Sequence, residues 1–146
     1  MDMIEGFTSA DQAEDALMGM LERKDKIMGF GHAIYRESDP RNVIIKKWSE
    51  KLAAEVGDDV LYPVSVRCEE VMWREKKLFC NADFFHASAY HFMGIPTKLF
   101  TPIFVMSRVT GWTAHVKEQR ANNRIIRPSA DYTGPEARSY TPISER

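Results

Sequence analysis

A histidine in a glycine-rich bend is the first candidate for chemistry. The run Gly29-Phe30-Gly31-His32 places His32 beside two glycines. Backbone can approach a ligand closely there, and an imidazole can act as a hydrogen-bond donor or as an acid. On spacing alone, a plainer role is favoured, in which the histidine closes a turn. The pattern is not a dinucleotide fingerprint, because no strand is predicted before it and no third glycine opens a helix.

Asp83 is the second candidate. It follows a predicted helix end and precedes Phe84 and Phe85. Apolar neighbours would exclude water and so strengthen the carboxylate as a base. Aspartate can also simply cap the next helix, and the sequence alone favours that role.

Arg108 is the most unusual charged residue, because it interrupts the apolar part of a helix predicted over residues 99–120. An unpaired guanidinium buried there would be strongly unfavourable, so a carboxylate or phosphate partner is expected. That partner is either a ligand or a structural salt bridge. Further arginines could bind anions, although solvated charge explains most arginines in proteins. They are Arg36, Arg41, Arg120, Arg124 and Arg127.

Neither a metal centre nor a nucleophile is indicated. His86, His91 and His115 form no HExxH or i, i+4 pair, and Cys68 and Cys80 are too far apart for a CxxC site. We therefore predict no bound metal and two reduced, structural thiols. GxSxG, P-loop and Ser-x-x-Lys patterns are absent as well, which leaves nucleophilic hydrolysis and nucleotide binding without support.

An all-α fold of about five helices would position these residues. Capping residues, helical apolar spacing and helix breakers define the elements. The predicted helices follow Thr8-Ser9, run from Asp39-Pro40 to Gly57, open at Pro63, run from Phe84 to Met93, and cover residues 99–120. After Asn122-Asn123 the chain is rich in Arg, Pro, Tyr and Gly, so an extended tail is expected.

Two helix faces carry specific packing expectations. Ile44, Trp48, Leu52 and Val56 recur every four residues and should face the core. The helix over 99–120 is apolar almost all round at its start, and such a helix must be enclosed by protein. A small bundle offers too little surface for that, so a partner subunit or a further domain is expected.

The composition limits the class of protein. A chain of 146 residues, 44% hydrophobic and 28% charged, is typical of one soluble globular domain with its own core. The formal net charge of −1 provides no overall attraction for nucleic acid or an anionic membrane, and neither is expected as a partner. Neither a signal peptide nor an apolar run of roughly 18 residues occurs, so a cytoplasmic location is expected.

Taken in order, the motifs resemble the C-terminal part of the citrate synthase family. The segments that carry the resemblance are Gly29 to His32, Asp39-Pro40-Arg41, Asn81-Ala82-Asp83, Phe100-Thr101-Pro102, Arg108, Gly111-Trp112, Glu118-Gln119-Arg120 and Arg124 to Pro135. Within the family, the tail and the run Val71 to Phe79 are most similar to bacterial 2-methylcitrate synthases. The resemblance covers essentially the whole chain but less than half of the family's enzyme.

This resemblance implies a Claisen-type condensation. Propionyl-CoA would add to oxaloacetate, and hydrolysis of the thioester would release 2-methylcitrate and CoA; citrate formation from acetyl-CoA is the alternative. Asp83 matches the base that takes the α-proton, and His32 matches the acid that polarises and protonates the ketone. Arg41, Arg108 and Arg127 match residues that grip the oxaloacetate carboxylates, with Arg127 reaching the neighbouring site of a homodimer. No cofactor is implied, because acyl-CoA is a substrate.

The resemblance also implies a CoA site and a division of the chain. The CoA loop would comprise Lys26, Ile27, Met28, Gly29 and Phe30, and Arg36 would contact a CoA phosphate. Residues 1–93 would form a small helical domain with the CoA loop and the catalytic His and Asp. Residues 94–146 would form the long helix and tail that belong to the large domain and the dimer contact.

One part of the family's site has no match among these residues. The family uses a further catalytic histidine on an earlier segment, and neither it nor a Gly-Gly-Ala-Asn stretch occurs here. We therefore expect the N-terminal part of the enzyme as a partner, and no turnover by the 146 residues alone. A different class also stays open: a non-catalytic helical dimerisation module, with structural arginines and with His32 and Asp83 on remote surfaces.

Overall fold

Six α-helices and no β-strands form the chain in the computed structural model, which describes residues 1–146. The helices are α1 (Asp2–Glu5), α2 (Ala10–Glu22), α3 (Pro40–Val56), α4 (Leu61–Lys76), α5 (Ala82–Phe92) and α6 (Phe100–Asn122). Short 3-10 turns lie at Thr97–Leu99 and Ile143–Glu145. The predicted all-α class is confirmed.

Local caps begin and end the helices much as the sequence predicts. Ser9 Oγ accepts a hydrogen bond from the Gln12 amide at 3.2 Å and starts α2. The Asp39 carboxylate accepts from the Arg41 amide at 3.0 Å and starts α3. Gly57 ends α3 with φ +73, the left-handed conformation that glycine adopts at little cost.

Helix α4 begins two residues before the predicted start at Pro63. The carboxylate of Asp58 accepts hydrogen bonds from the amides of Leu61 at 3.1 Å and Tyr62 at 2.8 Å. These bonds satisfy amide groups that a helix start would otherwise leave unpaired.

The core lies where α2 packs on α4 and α3 packs on α5. Its buried residues are Ile4, Ala13, Leu17, Leu61, Val64, Cys68, Val71, Cys80, Phe84 and Phe85. Each large apolar side chain among them contributes roughly 1.5–3 kcal/mol when fully buried. Both thiols are free, and burial raises the pKa of the Cys68 thiol to about 12.

The predicted inner face of α3 is wrong. Ile44 is 63% exposed and Trp48 is 52% exposed, whereas Ser49 and Ala53 are buried. Small residues permit α3 and α5 to approach closely, and Ser49 Oγ lies 2.7 Å from Ser88 Oγ across the contact. A face of small residues therefore determines the packing here, although the large apolar residues have the more obvious helical period.

Backbone contacts divide the chain into Met1–Arg108 and Val109–Arg146. The first unit contains α1 to α5 and the beginning of α6; the second contains the rest of α6 and the extended tail. No residue of α6 is buried, so the expected enclosure of this helix is not provided within the chain. The functional division at residues 93 and 94 stays a prediction. None of the helices is both long and apolar enough to span a lipid bilayer.

Candidate active site

The glycine-rich loop is hydrogen-bonded to the segment that opens α5. The Asn81 amide donates to the Gly29 carbonyl at 2.9 Å, and Asn81 Nδ2 donates to the Gly31 carbonyl at 3.0 Å. His32 directly follows this loop, and Asp83 follows Asn81 by two residues. The two predicted catalytic residues are therefore held on adjoining segments.

Glycine is required in the loop for conformation and for space. Gly29 has φ +93, and a Cβ at this position would lie 2.8 Å from Phe84 Cδ2. Phe84 also packs against Phe30, with ring centroids 4.7 Å apart. The loop can thus lie flat on the aromatic core only because residue 29 has no side chain.

Asp83 lies in the first turn of α5 without capping it. Asn81 supplies the cap, since its Oδ1 accepts from the Asp83 amide at 3.1 Å. The capping role that the sequence favoured for Asp83 is therefore wrong. Its carboxylate is exposed beside the positive end of the helix, while Phe84 and Phe85 are buried below and do not enclose it.

His32 is held through one ring nitrogen only. Nδ1 accepts from the amides of Ile34 at 3.1 Å and Tyr35 at 3.2 Å. Because two amide donors occupy Nδ1, the ring proton of the neutral imidazole resides on Nε2. The turn-closing role thus uses Nδ1, and Nε2–H can donate to a ligand.

Arg41 is fixed by a buried carboxylate. Asp39 Oδ1 accepts from Arg41 Nε at 2.9 Å, and Asp39 Oδ2 accepts from Arg41 Nη2 at 2.7 Å. Hydrogen bonds from the Arg41 guanidinium lower the pKa of Asp39 to about 2, although burial opposes the shift. Asp39 in turn raises the pKa of Arg41, and the charge of Asp83 adds to this increase.

A continuous series of contacts connects the three predicted groups. The rings of His32 and Tyr35 lie 4.7 Å apart, and Arg41 Cζ lies 5.5 Å from the Tyr35 ring centroid. Arg41 contacts Asp39, which accepts from the Ala82 amide at 2.9 Å, next to Asp83. His32 and Asp83 are thus linked through these intermediate residues. Whether they face one cleft, which separates the enzyme from the non-catalytic module, stays a prediction.

A cavity of about 580 Å³ lies beside Asp83. Four methionines are among the residues that line it, namely Met1, Met3, Met20 and Met28. Their thioether side chains are apolar and adapt readily to the shape of a ligand. The cavity thus provides an apolar space next to a carboxylate.

The predicted CoA loop divides between this cavity and the core. Lys26, Met28 and Gly29 line the cavity. Ile27 and Phe30 pack against the buried core and anchor the loop. Arg36 is exposed and is not part of the cavity lining.

His86 and Tyr90 belong to the cavity, and the sequence reasoning did not assign them to the site. His86 Nδ1 donates to the Ala82 carbonyl at 2.5 Å, which leaves Nε2 as an acceptor. The signal was present in the spacing, because residues three apart lie on one helix face and His86 follows Asp83 by three.

Arg108 does not belong to this series of contacts. Arg108 is exposed, with its guanidinium carbon 5.3 Å from the Phe104 ring centroid. The predicted burial of Arg108 is therefore not found within this chain, and its role in binding an oxaloacetate carboxylate stays a prediction. Arg127 is exposed in the extended segment of the second unit. In residues 1–146, no three His, Cys, Asp or Glu side chains are grouped to hold a metal ion.

Sequence comparisons relate the chain to enzymes with these motifs. The family model for the citrate synthase C-terminal domain matches residues 1–129. The 2-methylcitrate synthase of Shewanella oneidensis is 74% identical over all 146 residues, which cover 39% of that protein. Citrate synthase 2 of Bacillus subtilis is 47% identical over the same length, again 39% of that protein. The chain thus spans about two fifths of these relatives.

Solved structures show the same arrangement of helices. The citrate synthase of Thermoplasma acidophilum, solved as a ternary complex with carboxymethyl-CoA and oxaloacetate, matches with a TM-score of 0.83 at 34% identity. The match covers 99% of this chain and 40% of that one. The citrate synthase of Thermotoga maritima matches with a TM-score of 0.81 at 36% identity, over 99% of this chain and 40% of that one.

Proposed function

Because the chain belongs to the citrate synthase family, we propose that it is the C-terminal portion of a 2-methylcitrate synthase. This enzyme condenses propionyl-CoA with oxaloacetate and releases 2-methylcitrate and CoA. The observation that carries the proposal is the series of contacts from His32 through Arg41 to Asp83. Of these three residues, Asp83 lines an apolar cavity.

Each of these groups has a defined task in the reaction. The Asp83 carboxylate takes a proton from the α-carbon of the acyl-CoA, and the resulting nucleophile attacks the oxaloacetate ketone. His32 Nε2–H donates to the ketone oxygen, where negative charge develops. A fixed donor at such an oxygen contributes about 10²–10³ in rate. Arg41 binds a substrate carboxylate, and water then hydrolyses the thioester.

The acyl-CoA is assigned to the cavity beside Asp83. Its apolar wall suits the acyl and pantetheine chains, and Lys26 provides a positive charge at the lining. The related archaeal enzyme was solved with oxaloacetate and a CoA analogue, which supports the same ligand classes here.

Propionyl-CoA is preferred over acetyl-CoA in this proposal. The support is the 74% identity to a 2-methylcitrate synthase, compared with 47% to a citrate synthase. One methylene in an apolar pocket changes discrimination by only about 1–3 kcal/mol, so citrate formation from acetyl-CoA is the alternative.

A chimera tests the reaction and its specificity. The chain replaces the matching C-terminal 146 residues of the Shewanella oneidensis enzyme, and CoA release is measured with oxaloacetate and either acyl-CoA. We expect kcat/KM to be about 10- to 200-fold higher for propionyl-CoA, and activity to be lost in the Asp83→Asn chimera. A folded but inactive chimera contradicts the proposal, and a preference for acetyl-CoA establishes the alternative.

The chain by itself is proposed not to turn over. The family's further catalytic histidine has no match in residues 1–146, so stabilisation of the acyl-CoA enol would be missing. Purified 146-residue chain is assayed for CoA release beside the chimera. Turnover at the chimera's rate would show that these residues are sufficient.

A further inference from the structure

Asp39 makes more hydrogen bonds than a helix cap requires. Its buried carboxylate accepts four: the Arg41 amide at 3.0 Å and Nε at 2.9 Å on Oδ1, and Arg41 Nη2 at 2.7 Å and the Ala82 amide at 2.9 Å on Oδ2. One bond from Oδ1 is sufficient to cap α3. The other bonds connect this helix start to a guanidinium and to the start of α5.

The bonds to Arg41 orient the guanidinium. Asp39 holds Nε and one proton of Nη2 in a two-point fork, which fixes the plane of the group. The Nη1 group and the second Nη2 proton remain available to a ligand. The Arg41 side chain is 50% exposed, whereas the Asp39 side chain is 0% exposed. An arginine fixed in advance loses less conformational entropy when it binds an anion.

The bond to Ala82 fixes the position of the base. The Ala82 amide lies in the first turn of α5, where amides have no acceptor within the helix, and it donates to Asp39 instead. The next residue is Asp83. A single carboxylate thus contacts the proposed anion-binding group on α3 and the helix start that carries the proposed base. Ala82 is 43 residues from Asp39 in sequence, so this is a tertiary contact and not a local cap.

We propose that Asp39 is a positioning residue that sets the separation between the oxaloacetate-binding guanidinium of Arg41 and the base Asp83. This inference rests on the proposed function. It assigns to Asp39 a role in oxaloacetate affinity and in the catalytic step, with no contact to either substrate.

The active chimera carries the first test. In the Asp39→Asn variant the amide keeps the volume but loses the charge, and its NH2 group would face other N–H donors. We expect KM for oxaloacetate to rise by about tenfold or more, kcat to fall, and KM for propionyl-CoA to change less than about twofold. An equal rise in both KM values, or no change, overturns the proposal.

Asp58→Asn is the matched control. Asp58 is also a carboxylate that accepts from two amides at a helix start, but its partners are Leu61 and Tyr62 of α4. This variant should lower stability and leave both KM values unchanged. If Asp58→Asn shifts KM for oxaloacetate as Asp39→Asn does, general destabilisation explains the effect and the proposal fails.

A double-mutant cycle with Arg41 separates positioning from stability. If Asp39 acts on oxaloacetate through Arg41, Asp39→Asn should change KM for oxaloacetate by less than about twofold once Arg41→Ala is present. If the fold-change in KM for oxaloacetate of the double variant equals the product of the two single-variant fold-changes, this part of the proposal is overturned.

An NMR measurement on the 146-residue chain does not depend on catalysis. The Arg41 Nε–H and the Ala82 amide should exchange slowly with solvent in the original chain and rapidly after Asp39→Asn, but not after Asp58→Asn. Loss of protection together with an inactive unsubstituted chimera would refute the proposed function alone. Protection that persists in Asp39→Asn would refute the positioning role alone.

Discussion

At the scale of single residues, a carboxylate that binds a guanidinium in the interior also makes stability depend on pH. The pKa of Asp39 is about 2 in the folded chain, against 3.8 ordinarily. Its ionised form is therefore favoured by folding, and the contribution is complete above about pH 5. As pH falls through 3.8 towards 2 the contribution is lost, and the difference corresponds to about 2 kcal/mol of unfolding free energy.

Asp39→Asn should remove this acid-dependent contribution. We expect the variant to be less stable at neutral pH and to lose less unfolding free energy than the original chain between about pH 5 and pH 2. Urea unfolding followed by circular dichroism at several pH values measures both effects. Ser9→Ala, which removes a non-titrating cap, should lower stability by about 1 kcal/mol at every pH. Parallel pH curves for Asp39→Asn and the original chain would contradict the assignment.

Gly29→Ala tests the close approach of the loop to the core. The new Cβ would lie 2.8 Å from Phe84 Cδ2 at φ +93, so overpacking of about 1–3 kcal/mol adds to the backbone cost. Gly57 also has positive φ, but a methyl group there would meet no atom within 4 Å, so Gly57→Ala should cost only about 1–2 kcal/mol. Chemical denaturation of both variants compares them, and equal losses would show that Phe84 moves aside freely.

Sequence reasoning identifies the individual groups better than their partners. His32, Arg41 and Asp83 stand in motifs that a family resemblance reveals, and the structure places them on adjoining segments. The sequence indicates only a capping role for Asp39, because that role is visible within three residues. Its bond to Ala82 spans 43 residues and exists only once α3 and α5 have packed.

At the scale of elements, the contact between α3 and α5 determines how the site is assembled, because these helices carry Arg41 and Asp83. Ser49 and Ser88 meet at 2.7 Å, and Ser88 Oγ also donates to the Phe85 carbonyl at 3.2 Å. The paired hydroxyls are both buried and both satisfied. Small polar residues thus permit an approach that larger apolar side chains would prevent.

Ser49→Leu should force these helices apart. Insertion of a large side chain into a filled contact costs about 1–3 kcal/mol and leaves the Ser88 hydroxyl with one partner fewer. We expect a lower midpoint in urea unfolding and, in the chimera, reduced kcat. Ile44→Val on the exposed face should stay within about 0.5 kcal/mol of the original chain. A neutral Ser49→Leu would show that the contact has room to spare.

Most helix positions could be predicted from the sequence, whereas the buried face of α3 could not. Caps such as Ser9 and Asp39 act within a few residues, so α2 and α3 begin where the pattern indicates. The buried face of α3 depends on what α5 presents to it, and its period of large apolar residues was misleading. The sequence also predicts that α5 begins at Phe84, whereas the helix begins at Ala82. The reason is that Asn81 caps this helix and Asp83 does not.

At the scale of the whole molecule, α6 presents an apolar surface that the chain itself leaves uncovered. Its exposed large residues are Phe104, Val105, Met106, Val109, Trp112 and Val116. An exposed apolar surface of this kind marks a protein contact. The sequence predicts the need for such a contact. It also predicts that Arg108 is buried, whereas Arg108 is exposed in this chain.

We predict that the chain associates with a second copy through α6. Val109 and Val116 are 48% and 56% exposed and lie two turns apart on one face. Val109→Glu with Val116→Glu should shift the sedimentation coefficient of the 146-residue chain towards that of a monomer. Lys117→Glu changes charge nearby without removing an apolar residue, and it should leave association unchanged. A monomeric original chain at high concentration would contradict this prediction.

The methionines along the cavity wall give the molecule a specific chemical vulnerability. Peroxide converts a thioether into a polar sulfoxide, which would wet a surface suited to an aliphatic chain. The thiols are protected, because Cys68 and Cys80 are buried and burial raises the pKa of both. Mild oxidation should therefore add oxygen to Met28, 68% exposed, before either cysteine reacts, as peptide mass spectrometry would show. Methionine sulfoxide reductase would then restore the wall, so the redox history of a preparation becomes a variable in any assay of acyl-CoA affinity.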